Sequence, residues 1–123
     1  MKKFIAFCFL LLLSCSKSSN NVSIIGKWKL TETLSDPGDG SGTWLMATTD
    51  NTIQFNKDNT ASQTPITPAW NVNRYSVTSD STITLFYSNS TKQNLYFKVQ
   101  GNTLTLTGGC IETCGSKYKR IMF

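Results

Sequence analysis

Histidine is absent from the 123 residues. With it go Ser-His-Asp and Cys-His nucleophiles and every histidine-metal site. Glutamate is nearly absent, and nothing in the placement of Glu32 and Glu112 brings them together as a glycosidase pair. Two mature cysteines without a histidine do not complete a usual zinc set. The expectation is a protein that is not an enzyme, with no catalytic residue, metal or cofactor. Helical periodicity is missing too. No stretch repeats apolar residues at i, i+3, i+4 and i+7 over the eleven or so positions a helix needs. The one long apolar run is Phe4 to Leu13, well short of the ~20 residues that cross a bilayer.

That run follows Lys2 and Lys3, and a basic n-region before a short h-region reads as a secretory signal. It ends in Leu12-Leu13-Ser14-Cys15, which resembles the lipobox of bacterial lipoproteins. The resemblance implies lipidation of Cys15, which then becomes the first mature residue. Residues 1–14 are accordingly expected to be a signal peptide. Residues 15–22, "CSKSSNNV", are expected to be the lipidated cysteine and a flexible polar tether. Ser16 stands where an inner-membrane retention aspartate would resemble those of known lipoproteins. The expected address is thus the outer membrane of a bacterial envelope, facing either the periplasm or the surface. Processing removes Lys2 and Lys3, leaving ten basic against seven acidic residues, a net of +3. That is modest, and an exported protein meets little nucleic acid, so no nucleic-acid partner is expected.

Residues 23–123 read as one all-β domain. In "SIIGKWKLTETL", residues 23–34, Trp28 and Leu30 share one face while Lys27, Lys29 and Thr31 share the other. Ile53 and Phe55, Ile83 and Leu85, Leu95 and Phe97, and Leu104 and Leu106 repeat this alternation. Period two means one packed face and one wet face. "NKDN" at 56–59, "TSDS" at 78–81 and "QGN" at 100–102 mark hairpin turns. The phase change in "WNVNRYSV" predicts a bulge near Asn73-Arg74. Eight or nine short strands are enough to close a small antiparallel up-and-down β-barrel of about eight strands.

Gly26-Lys27-Trp28 on the first strand, Arg120 on the last and the all-β pattern between them resemble the lipocalins, and in particular the short lipocalin-like domains of bacterial lipoproteins. The resemblance implies that Gly26, Trp28 and Arg120 form the closed end of the barrel. Strand parity then lets Arg120 stack on the Trp28 ring and gathers Lys27, Lys29, Lys117 and Lys119 outside. Ile121 and Phe123 fall on the outward parity. A ligand of this superfamily enters the other end, beneath the loop "SDPGDGSG" at 35–42. Trp44, Phe55, Trp70, Tyr75 and Phe97 are the candidates for filling or lining the interior.

Cys110 and Cys114, in "GGCIETCGSK", are expected to form a short disulfide, since the compartment is oxidising and the loop is rich in glycine. Two roles follow from this reading. One is a membrane-anchored, lipocalin-like lipoprotein holding a small apolar ligand. The other is a structural or interaction lipoprotein with a filled barrel, acting on an envelope protein partner as inhibitor or accessory subunit.

Overall fold

The computed structural model describes residues 23–66, 71–109 and 114–122. They contain β-strands and no helix. In chain order these are β1 (Gly26–Ser35), β2 (Thr43–Met46), β3 (Thr52–Phe55), β4 (Ala61–Thr64), β5 (Val72–Val77), β6 (Thr82–Tyr87), β7 (Lys92–Gln100), β8 (Thr103–Thr107) and β9 (Cys114–Met122). All neighbours are antiparallel, in the order β4-β3-β1-β9-β8-β7-β6-β5, with β2 also on β1. The nine strands make eight staves. β2 pairs with the second half of β1 and β3 with the first half, so together they form one interrupted stave.

The interruption has a local cause. β1 skips Thr31 in its ladder with β9, and the extra residue is a bulge. Backbone bonds carry the sheet past it: Ala47 N–H donates to Thr31 O (2.9 Å) and Leu30 N–H to Asn51 O (2.8 Å). β5 skips Asn73 against β6, where the change of phase in the sequence falls. The turns at 56–60, 78–81 and 101–102 connect hairpins, as their Asn, Asp and Gly content predicts.

Closure between β4 and β5 is partial. The Thr60–Arg74 bridge and the Tyr75 N–H to Asn59 O bond (3.0 Å) join them at one end. Towards the other end the Gln63 side chain substitutes for a strand, accepting from the Val72 N–H at 3.3 Å. The result is an up-and-down barrel, nearly closed, with a seam at β4–β5.

The alternating residues fill its interior. Trp28, Ile53, Phe55, Val72, Tyr75, Ile83, Leu85, Leu95, Leu104 and Leu106 are all buried in one cluster. Curling the sheet on itself buries this apolar face and leaves the β4–β5 seam only partly paired.

Candidate functional site

Trp28 is fully buried, and its ring nitrogen donates to Ile24 O at 2.8 Å. A buried indole N–H needs such a partner, because an unpaired one costs about 1–3 kcal/mol. β1 and β9 place Trp28 directly opposite Arg120, whose guanidinium carbon lies 4.1 Å from the ring centroid. The same guanidinium donates to Ile25 O and Ser23 O, each at 2.6 Å. Arg120 therefore stacks on the plug and ties down the lead-in segment at once. Lysine has no planar fork with which to do both. Gly26 precedes Trp28 by two residues with φ of 136°, a conformation that side-chain-bearing residues rarely adopt. This gives the glycine of the Gly-x-Trp pattern its physical reason. The three residues pack together at one end of the barrel.

At the opposite end a cavity of about 370 Å³ opens. Every strand from β3 to β9 contributes to its lining, so it is the barrel interior and not a surface fold. Ile53, Val72, Leu85, Leu95 and Leu106 make the apolar floor. Tyr87, Tyr118, Gln63, Gln93 and Ser116 supply polar atoms. Among the described residues, no carboxylate, ammonium or guanidinium lines it. The Tyr87 hydroxyl donates to Gln93 Oε1 at 2.7 Å. Burial holds the Tyr87 and Tyr118 hydroxyls above their ordinary 10.0, so both are neutral phenols at physiological pH.

Of the interior candidates proposed from the sequence, Phe55 and Tyr75 are in the buried core and Phe97 packs against it, while Trp44 lies elsewhere. Trp44 pairs with Leu34 on the outward face of β1, and its ring lies under the Lys117 ammonium at 4.2 Å. Lys117 in turn meets Glu32 at 3.6 Å, so Trp44 is packed outside the barrel. The Thr31 bulge is the reason: it reverses the facing of β1 beyond Leu30, which a strict alternation count cannot anticipate. Gly115 leaves the room for the indole, since a Cβ there would lie 2.8 Å from its edge. Phe55 is fully buried core, edge-on to Tyr75 with ring centroids 4.9 Å apart. Tyr75 and Phe97 line a different hollow of about 410 Å³ at the Trp28 end. That hollow is bounded by two hairpin turns and residues 23–25, with Lys57 and Asp80 exposed at its edge. Trp70, Cys110 and Cys15 lie outside the described residues. Cys114 is disulfide-bonded at the start of β9.

Tyr87, Tyr118, Gln63 and Gln93 are not among the expected lining residues, which take in only some of the inward aromatics and no amides. The signal was available for two of them. Tyr87 and Tyr118 lie on the inward parity of their strands, in phase with Leu85 and Arg120.

The loop after β1 is organised by its own aspartate. Asp36 Oδ1 accepts from the N–H groups of Gly38 (2.8 Å) and Gly40 (3.2 Å). The Gly38 bond is the main reason its carboxyl sits below the ordinary 3.8. This carboxylate braces a turn, as Asp does in Asx-type loops. Among the described residues, no group of three or more metal-ligating side chains converges, and no helix is long and apolar enough to cross a membrane.

Comparison with protein-family models finds no match for this chain, and comparison with curated proteins finds no relative.

Proposed function

We propose that this protein is a lipid-anchored, lipocalin-like lipoprotein of the bacterial envelope whose barrel binds one small, uncharged, amphiphilic molecule. The observation that carries the reading is the open-end cavity, with its aliphatic floor and its rim of phenol, amide and hydroxyl groups. A charged ligand would lose its hydration there without gaining a counter-charge, at a cost of several kcal/mol. An apolar body with one or two hydrogen-bonding groups meets a matching partner at each depth. The volume of about 370 Å³ lies near the lower end of the usual ligand-pocket range, ~300–1,000 Å³, and so favours a small ligand. The anchor rests on the lipobox-like Leu12–Cys15 segment, and the lipocalin-like assignment on the Gly26, Trp28 and Arg120 arrangement within an up-and-down barrel.

The test uses Nile red, an uncharged amphiphilic dye, titrated into the purified protein. Fluorescence should rise saturably, and Ser116→Trp, which fills the rim from an inward position, should abolish the rise while the circular dichroism spectrum is kept. No saturable binding, or binding indifferent to Ser116→Trp, would refute the cavity as the site. Native mass spectrometry of protein extracted from its own membrane would then identify the natural occupant.

A further inference from the structure

The Trp28 end carries a corner that barrel closure does not explain. Ile121 and Met122, at the end of β9, point outward and are 51% and 55% exposed. About half of each residue thus remains open to water on the wet face of the final strand. They are bordered by cations: Lys27 is the register partner of Met122, and Lys29 is the partner of Lys119 one step further along. One acid opposes them, Asp50, which lies 3.5 Å from Lys29 and is almost fully exposed. Lys27 and Lys119 have no acidic partner within 4 Å among the described residues.

The lead-in chain emerges at this same corner. Arg120, the residue before Ile121, holds Ser23 O at 2.6 Å. From Ser23 back to Cys15 there are eight residues, which span at most ~26–29 Å when fully extended. If the chain is anchored at Cys15, its barrel is confined to that distance from the bilayer, with this corner nearest.

We propose that the corner formed by Ile121, Met122, Lys27, Lys29 and Lys119 docks on an anionic phospholipid surface, so that the barrel stands on its Trp28 end with the cavity mouth directed away from the membrane. Lysines near an anionic surface are attracted within about a Debye length, ~8 Å at physiological salt. Two aliphatic side chains between them enter the headgroup boundary, the arrangement of an interfacial anchor. The rim of the mouth offers a rival apolar patch, Leu45 and Met46, 62% and 84% exposed. Its neighbours have the wrong sign. Met46 pairs with Glu32, and the adjoining loop carries Asp36 and Asp39. Glu32 is neutralised by Lys117, so Asp36 and Asp39 are what an anionic surface repels at that end. At the other end the lysine corner attracts it, and Asp80 stands apart, across the hollow.

This inference rests on the anchored reading, and the experiment separates the two. The full-length protein is purified from membranes, its intact mass is measured for acyl chains, and it is reconstituted into neutral phosphatidylcholine vesicles or vesicles containing phosphatidylglycerol. Amine acetylation followed by peptide mass spectrometry then reads each lysine. Lys27, Lys29 and Lys119 should label about threefold more slowly on the anionic vesicles, and recover in high salt, while Lys92 at the mouth end is unchanged. Ile121→Asp with Met122→Asp should remove the protection and leave the fold intact, since both side chains are exposed. Equal labelling on both vesicles, or protection of Lys92 instead, would overturn the docking face. An intact mass without acyl chains would overturn the anchor alone. The unanchored chain added to excess anionic vesicles then still decides the face by the same lysine footprint.

Discussion

Arg120 does three things with one planar group, and that concentration makes it the most informative residue to change. It covers the Trp28 ring and donates to two carbonyls of the chain that leads into β1. Trp28→Ala empties a fully buried site and should cost ~3–5 kcal/mol in urea unfolding. Arg120→Ala should also destabilise, and the double variant should lose less than the sum of the two, because contacting residues are coupled. A Trp28→Ala protein with an unchanged melting temperature would dismiss the plug. Arg120→Lys should behave nearly as badly as Arg120→Ala, since an ammonium offers no fork for two carbonyls. The tyrosines supply a pH prediction at the same scale. Tyr75, Tyr87 and Tyr118 all have their phenol pKa raised above 10.0, chiefly by burial. The folded state holds these protons more tightly than the unfolded chain, so their contribution is complete below pH 10.0 and is lost as the pH rises beyond it. Unfolding midpoints should be level from neutral pH to about 9 and fall above 10. Tyr118→Phe should flatten that fall.

Among the elements, β1 and β9 bear the greatest departure from simple alternation. Thr31 bulges from β1 and Ile121 is skipped in β9, so each strand is in phase with the other only between two irregularities. Gly26 starts this strand with a left-handed backbone, and Gly26→Ala should cost ~1–3 kcal/mol through strain, measured by chemical denaturation. The β4–β5 seam is the weakest joint. Gln63 stands in for a missing ladder there, and Gln63→Ala should cost ~1–2 kcal/mol by leaving the Val72 N–H without its partner. Hydrogen exchange should show Val72 released in that variant while Leu104 and Leu106 stay protected. The link between β8 and β9 calls for a chemical test. Peptide mapping without reductant should join Cys114 to Cys110, and removing the bridge should cost no more than ~2–3 kcal/mol because so short a loop is closed. Free thiols at both positions would refute the pairing.

At the scale of the whole molecule, the two ends of the barrel differ in kind. One carries the Trp28–Arg120 pair, with Lys27, Lys29 and Lys119 on its outer face and Lys57 and Asp80 at its hollow. The other opens into the cavity of about 370 Å³, whose described lining residues carry no charge. It has Asp36 and Asp39 in the adjoining loop and the Glu32–Lys117 pair nearby. On the proposed reading, the anchor and the ligand lie at opposite ends, and neither function obstructs the other. Cys15→Ala should therefore release the protein from the membrane fraction or leave it unprocessed, while Nile red binding is retained. Stable retention needs two or more acyl chains, one being marginal. A wild-type protein recovered entirely in the soluble fraction would refute the anchor.

The sequence by itself determined most of the strands and turns and the match of Trp28 to Arg120, but not the short strands β2 and β4. Alternation is local, since successive side chains on a strand point to opposite faces wherever the strand lies. The turns at 56–59 and 78–81 are local too, being written in Asn, Asp and Ser. Trp28 and Arg120 could be matched because both lie in the regular stretch between the two bulges. Only the tertiary structure decided which aromatics face the cavity. Thr31 shifts the phase of β1 by one residue, and a shift of one exchanges inside for outside. That single residue sends Leu34 outward, and Trp44 with it, onto Gly115 and Lys117. The bulge depends on how β1 pairs with β9, more than eighty residues away in the chain. No window of sequence around Trp44 contains that information.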